Sequence, residues 1–523
     1  MKTKFMIVNK KIRIKYFNLK FTVEYDNKKQ MGKIMQANNV SLKQTEGYQT
    51  FTFGSVKNSK RDSQLVSISS KSFLSSLKSQ INSQTSRIII ELDNYDLSNC
   101  QFYSDSSNKT IKTTRENILD QVRIQQLYIS LKNSKAGSDL IANLTKQLNT
   151  IESIETLHFY AQMNNLYDQS LLNLSQLLMK TTKIIQLDLS NSKVANLNVI
   201  FQSLMKIYSL TDLSLNFSQN SVQNLDNLKS LKLPTLKSLT LEFKKCAIDE
   251  KCCQAISCFT KNHQNITILS LQLQENRLND LGVRYLIEGV SKLNKINYLY
   301  LGLSNCHIGQ EGSNYISEML SNSQFIQNIE TLNIQLQFNK IQTFGAQKLL
   351  QALINCNDLR VLYLNISQNS LGEGIYQKAS QMMSLLSKLT TLDLDFSLNY
   401  LDSTGFDQLV QSLSQSQMIQ HISLNLKLTQ IDENQISALF PQILNNLNLT
   451  YLSTDLSCNE ITYDSVLLVK KSIDQVKNKQ LKLNVDLRYN NRITQEQLED
   501  LTNQFQHIKK KRQTFFIQIK QDD

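Results

Sequence analysis

Between residues 266 and 461 the chain repeats one pattern of apolar and polar positions seven times. An alternating apolar run is followed by two residues, an Asn or a stand-in for it, one further residue, and another apolar position. The first copy is Leu269, Leu271, Leu273, Asn276 and Leu278, and the second is Leu299, Leu301, Leu303, Cys306 and Ile308. Later copies place Asn339, Asn369, Asn399, Thr429 and Asn459 in the polar slot, so the steps between slots are 30, 33, 30, 30, 30 and 30 residues. A fixed step of this length predicts a solenoid of stacked units rather than several separate globules, because each unit buries its apolar face only against its neighbours.

Within each unit, the period-two run predicts a short strand with apolar side chains pointing in and polar ones pointing out. The slot after it suits an amide that satisfies turn backbone groups of its own and adjacent units. Apolar positions at helical spacing follow, as in residues 281–290 and 406–413. Gly recurs six residues after the slot, at 282, 312, 345 and 405. Asp280, Thr343 and Ser403 stand just before these stretches, where a helix N-cap is expected. Weaker copies are centred on Ile88, Leu127, Leu157, Ile184, Leu213, Leu239 and Leu483, which brings the series to fourteen candidate units. A strand and a helix in every unit predict an α/β fold with parallel strands on one face and helices on the other.

These residues resemble leucine-rich repeats of the ribonuclease-inhibitor type, which read Leu-x-x-Leu-x-Leu-x-x-Asn-x-Leu, then Gly and a helix. The resemblance spans roughly residues 86–495 and is sharpest at 266–461. It implies a leucine-rich-repeat solenoid, a horseshoe with its parallel β-sheet on the concave face and helices on the convex face. Most units carry an extra Leu-x pair before the slot, as in leucine-rich-repeat proteins of protists. Two added residues preserve the in–out parity of a strand, so the expectation is a lengthened strand.

Residues 1–85 lack the repeat and read as a basic, partly disordered N-terminal segment that caps the first open core face. Ile12, Ile14 and Tyr16 alternate with basic residues as in a strand, and residues 21–25 read as a second one. Residues 26–64 are polar, and a short helix is expected near 73–81. A polar insertion, 103–114, interrupts the early repeats. Residues 496–523 read as a helix, the basic run Lys-Lys-Lys-Arg at 509–512, and an apolar run at 515–519 that seals the last unit.

Charge narrows the partners. Residues 1–61 hold 14 basic and 3 acidic side chains, and residues 508–523 hold 5 and 2. With a net charge of +13 for the whole chain, the array between these ends is close to neutral. A groove that tracks nucleic acid needs clustered Lys and Arg, so nucleic acid is not expected along the array. No stretch is apolar enough for a membrane span. The 8 Cys read as thiols suited to a reducing compartment. Cys246 and Cys306 occupy polar slots, and Cys252, Cys253 and Cys258 fit an apolar helix face better than any zinc spacing. The expected location is cytoplasmic, with the nucleus as the alternative if the run at 509–512 acts as an import signal.

No phosphate-binding loop, dinucleotide fingerprint or catalytic set is present, and the five His have no metal-ligand spacing, so no cofactor, metal or small-molecule substrate is expected. His158 falls on an outward strand position and is expected to be exposed. What remains is the outward strand face. Tyr300, Asn333, Gln335, Tyr363, Asn365, Asp393, Asp395 and Asp455 are the candidate partner-binding residues, because Tyr among small polar groups is the composition of protein-binding surfaces. The leading expectation is a non-catalytic protein–protein interaction scaffold that binds a protein on the concave face. The alternative is a GTPase-activating protein of the Ran-type leucine-rich-repeat class. Those proteins usually end in a long acidic tail, which this chain lacks, and no catalytic Arg or Asn of theirs can be placed on it.

Overall fold

The computed structural model describes residues 4–8, 11–16, 19–25, 40–45, 48–53, 85–91, 123–135, 137–148, 151–222, 224–478, 480–490, 492–511 and 514–519. The helix expected at 73–81, the insertion at 103–114, Cys100 and the side chains of the basic run at 509–512 lie outside the described residues. Two compact units are present, Met1–Ala247 and Ile248–Asp523.

In the first unit, the strand Leu19–Tyr25 pairs antiparallel with Thr85–Glu91. A parallel ladder then runs from Thr85–Glu91 through Arg123–Ser130, Ser153–Tyr160, Thr181–Asp188 and Asp212–Asn216 to Ser238–Glu242. Val40–Thr45 and Tyr48–Phe53, within a stretch that reads as polar and loose, form an antiparallel pair. The helices Ser138–Leu148, Tyr167–Leu178 and Asn198–Leu204 alternate with the parallel strands. Where the step from Asn220 to Cys246 shrinks, only the 3-10 turn Asp226–Ser230 fits.

In the second unit, eight five-residue strands run parallel from Ile268–Gln272 to Lys482–Asp486, and Phe515–Gln518 adds a further parallel strand. A helix follows each of the eight, from Asn279–Val290 to Gln495–Lys511. Register holds throughout: Leu299 lies opposite Leu269 and Leu332, and Leu392 opposite Leu362 and Ile422. The inward leucines are essentially inaccessible, and each contributes about 1.5–3 kcal/mol by leaving water. The helices approach closely. A Cβ added at Gly289 would lie 2.7 Å from the Cα and the carbonyl oxygen of Ser257 on the preceding helix.

The extra Leu-x pair does not lengthen these strands. It enters the turn, where two more ladder bonds form: Leu303 N–H donates to the Gln335 carbonyl (2.8 Å) and Asn305 N–H to the Gln337 carbonyl (2.9 Å), as Phe396 N–H does to the Asn425 carbonyl (3.0 Å) and Leu398 N–H to the Lys427 carbonyl (2.9 Å). The residue just before each slot then adopts a left-handed conformation, from Asn133 (φ 49°) to Tyr489 (φ 58°). That turn swings the slot side chain inward.

The slot amides bond as their position suggests. Asn399 donates from Nδ2 to the carbonyls of Ile366 (3.2 Å) and Phe396 (2.9 Å), and its Oδ1 accepts from the N–H groups of Asn369 (2.9 Å) and Leu371 (3.1 Å). Asn220, Asn339 and Asn459 repeat this geometry. Cys306 donates its thiol to the carbonyl of Leu273 (3.1 Å), and Cys246 to that of Phe217 (3.1 Å). Burial pushes these thiols up to about 12 and about 11, so they remain donors at physiological pH.

The expected N-caps are corrected. Asp280 lies inside the first turn of Asn279–Val290, not before it. Its carboxylate caps the next unit, accepting from Gly309 N–H (2.6 Å) and Gly312 N–H (2.9 Å). Thr343 likewise sits inside its helix and accepts from Gly372 N–H of the next unit (2.8 Å). The helix after Ser403 starts at Phe406, and its cap position is Gly405 in a left-handed conformation (φ 83°). Asp432 and Thr462 do cap their own helices, the former in a capping box.

Candidate functional site

The outward strand positions of the second unit form two polar rows. Pairing puts Tyr300 opposite Asn333, Asn333 opposite Tyr363, and Tyr363 opposite Asp393. The second row runs Gly302, Gln335, Asn365, Asp395, Asn425, Asp455. Neighbouring strands are about 4.8 Å apart, so Tyr300 and Tyr363 are separated by about 10 Å. The candidate residues from Tyr300 to Asp395 therefore lie together on four strands. Asp455 stands two strands beyond Asp395, with Asn425 between them.

These side chains are half-buried and largely bonded to one another. Gln335 Nε2 donates to Asn333 Oδ1 (2.7 Å), and Asn365 Nδ2 donates to Asp395 Oδ2 (3.0 Å). The N–H groups of Ser367, Ser397 and Ser457 donate to Asn365, Asp395 and Asp455, each at 3.0 Å. The Tyr300 hydroxyl accepts from Gln274 Nε2 (3.3 Å). The surface is thus pre-ordered. Burial raises the Asp393 carboxyl above its ordinary range, and the neighbouring Asp395 raises it further, against a hydrogen bond from Ser423. Among the described residues, no ion pair involves Asp393, Asp395 or Asp455.

A second outward cluster, in the first unit, is absent from the sequence expectation. Tyr128, His158 and Tyr160 pack together with ring centroids 5.5–6.3 Å apart, His158 stacked on Tyr160 and Tyr128 tilted against both. Gln186 Oε1 joins them, 2.7 Å from His158 Nδ1 and accepting from the Tyr160 hydroxyl at 2.7 Å. His158 is half-buried among these rings, not exposed as expected. The signal was legible: Tyr-x-Ser and His-x-Tyr occupy adjacent outward rows on neighbouring strands. Burial, Tyr128 and Asp188 raise the Tyr160 hydroxyl above its ordinary value.

Cys252 and Cys253 are buried on the helix Glu250–Lys261, and Cys258 is half-buried. Among the described residues, no helix is long and apolar enough to cross a membrane, and no group of three or more His, Cys, Asp or Glu could hold a metal ion.

In-register parallel strands alternating with helices, with a hydrogen-bonded polar slot closing each turn, define a leucine-rich-repeat solenoid. No protein-family model matches the sequence, and no curated protein matches it. A solved structure it resembles is the crystal structure of the Rad7 and Elc1 complex in yeast. That match covers 71% of this chain and 81% of that one, at 17% identity and a TM-score of 0.36. A likeness this loose carries no argument about function.

Proposed function

We propose that this chain is a non-catalytic protein-interaction scaffold of the ribonuclease-inhibitor-like leucine-rich-repeat type. A protein partner would lie across the outward strand face of the second unit. The observation that carries the reading is the row Tyr300–Asn333–Tyr363–Asp393, which places two tyrosines and a carboxylate in register on a rigid sheet. Tyrosine gives large contact area at low entropy cost, and groups already bonded in place lose little freedom on binding. The Asp393 carboxylate, raised by burial and by Asp395 and in no ion pair among the described residues, is a charge that a cationic partner group would relieve.

The test is capture of a partner on the full chain, followed by its affinity for the Tyr300→Ala/Tyr363→Ala variant. Loss of two anchoring aromatics is expected to weaken binding by about 30-fold or more, with the fold intact by circular dichroism. Unchanged affinity moves the site off this face. If the partner is a small GTPase whose hydrolysis the chain accelerates, the GTPase-activating reading replaces this one.

A further inference from the structure

The positions just before the polar slots are all left-handed, a conformation that Gly adopts freely and Asn tolerates. Asn133, Asn191 and Asn305 follow that preference. In the later coils of the second unit the same position instead holds Phe338, Leu398, Leu428 and Tyr489, at φ 52–60°. These side chains are 37–51% exposed, and Tyr400, two residues beyond Leu398, is 76% exposed. Each therefore carries a backbone penalty and a solvation penalty together. Ladder bonds to the next coil hold this backbone at Phe338, Leu398 and Leu428, and the Arg488 guanidinium lies 6.0 Å from the Tyr489 ring centroid, yet the four side chains stay open to solvent.

They form a row. Leu398 N–H donates to the Lys427 carbonyl (2.9 Å) and Leu428 N–H to the Ser457 carbonyl (3.1 Å), so the two leucines sit on adjacent coils about 5 Å apart. Phe338 lies two coils to one side and Tyr489 two coils to the other, with Gln368 and Cys458 between. We infer that this apolar edge is a docking surface for a polypeptide segment that carries apolar side chains alongside Lys or Arg.

Charge selects that occupant. Asp395 and Asp455 end the strands three residues before Leu398 and Cys458 of their own coils, about 10 Å away along the chain, and Asp393 lies two residues before Asp395 on the same strand. On the outward strand and turn positions of coils 391–398, 421–428 and 451–458, Lys427 is the one lysine or arginine against these three carboxylates, and on the coil of Tyr489 the guanidinium of Arg488 is already paired with Asp486 (2.7 Å). A segment whose apolar residues reach the row would bring its flanking positions over the carboxylates, where basic side chains are favoured. The inference rests on the chain being a protein-binding scaffold but not on the tyrosine row.

The experiment selects displayed random 16-residue peptides on the full chain, then titrates one enriched peptide against purified variants. The expected peptides combine apolar residues with net positive charge. Leu398→Asn/Leu428→Asn should weaken binding at least tenfold while the thermal midpoint holds or rises, since Asn suits the left-handed backbone. Phe338→Asn/Tyr489→Asn should act in the same direction. Asp395→Asn/Asp455→Asn should weaken binding and flatten its salt dependence. Failure to enrich any peptide, enrichment of acidic or uncharged peptides, or equal affinity for Leu398→Asn/Leu428→Asn would overturn the inference. So would self-association of the wild-type chain that this variant abolishes, because the occupant would then be a second copy. If Tyr300→Ala/Tyr363→Ala retains the peptide and still loses the captured partner, the two surfaces are separate. If that variant retains both, the tyrosine-face reading falls and the edge stands.

Discussion

At the scale of single residues, one slot governs each coil. Asn399 bridges successive turns by donating to a carbonyl in each and accepting from two N–H groups, whereas the side chain of Cys306 or Thr429 has a single hydrogen to donate. The outward positions obey a different logic, because nothing in the core dictates them. Asp393 shows this most clearly. Its folded carboxyl is raised above the ordinary 3.8, first by burial and then by Asp395. The folded chain therefore holds that proton more tightly than the unfolded chain does. Stability from this group is fully present below about pH 3.8, falls as pH rises through the raised folded value, and is missing at neutral pH. Asp393→Asn should raise the urea midpoint at pH 7, and the gain over wild type should vanish as pH drops toward 3.8. An equal gain at both pH values would mean that the charge is not what costs stability. The slot was legible in the sequence because a 30-residue recurrence exposes it. The shifted carboxyl was not, since it depends on which strands become neighbours.

At the scale of elements, inward and outward faces could be read directly, because period-two alternation needs no knowledge of partners. Helix starts could not. Local spacing puts Asp280 at its own helix's N-cap, yet its carboxylate reaches forward to Gly309 and Gly312 at the start of Gln310–Leu320. Asp168 does the same for Ala195 N–H (2.9 Å) and Asn196 N–H (3.1 Å) one unit on. Caps shared between coils are invisible to any rule that looks only along the chain. The left-handed turn residues are hidden in the sequence for a related reason: ladder bonds to the next coil hold their backbone, so Gly is not needed there. Asp280→Ala is expected to cost about 1 kcal/mol, a typical cap loss. The amides of Gly309 and Gly312 should exchange faster with solvent while those at the start of Asn279–Val290 keep their rates. Faster exchange in the latter helix alone would restore the local-cap reading.

At the scale of the whole chain, stability should be a sum over neighbouring coils, because each coil bonds mainly to the next. Asn399→Ala tests this. It leaves the carbonyls of Ile366 and Phe396 and the N–H groups of Asn369 and Leu371 without the amide that now serves them. Stranding buried backbone groups costs about 1–3 kcal/mol apiece before relaxation, so a loss of about 3 kcal/mol is expected. Hydrogen exchange should locate it. Protection should drop at Asn369 and Leu371, whose bonds are lost. It should hold at Cys306 and Ile308, which donate to Asn339 at 3.0 Å each, and in the first unit at Ser192 and Val194, which donate to Asn220. A uniform drop across all of these amides would show a single all-or-none core instead. Local loss would mean that a partner seated across several coils tightens the very contacts on which they depend, so binding and local order should rise together along the same stretch of sheet.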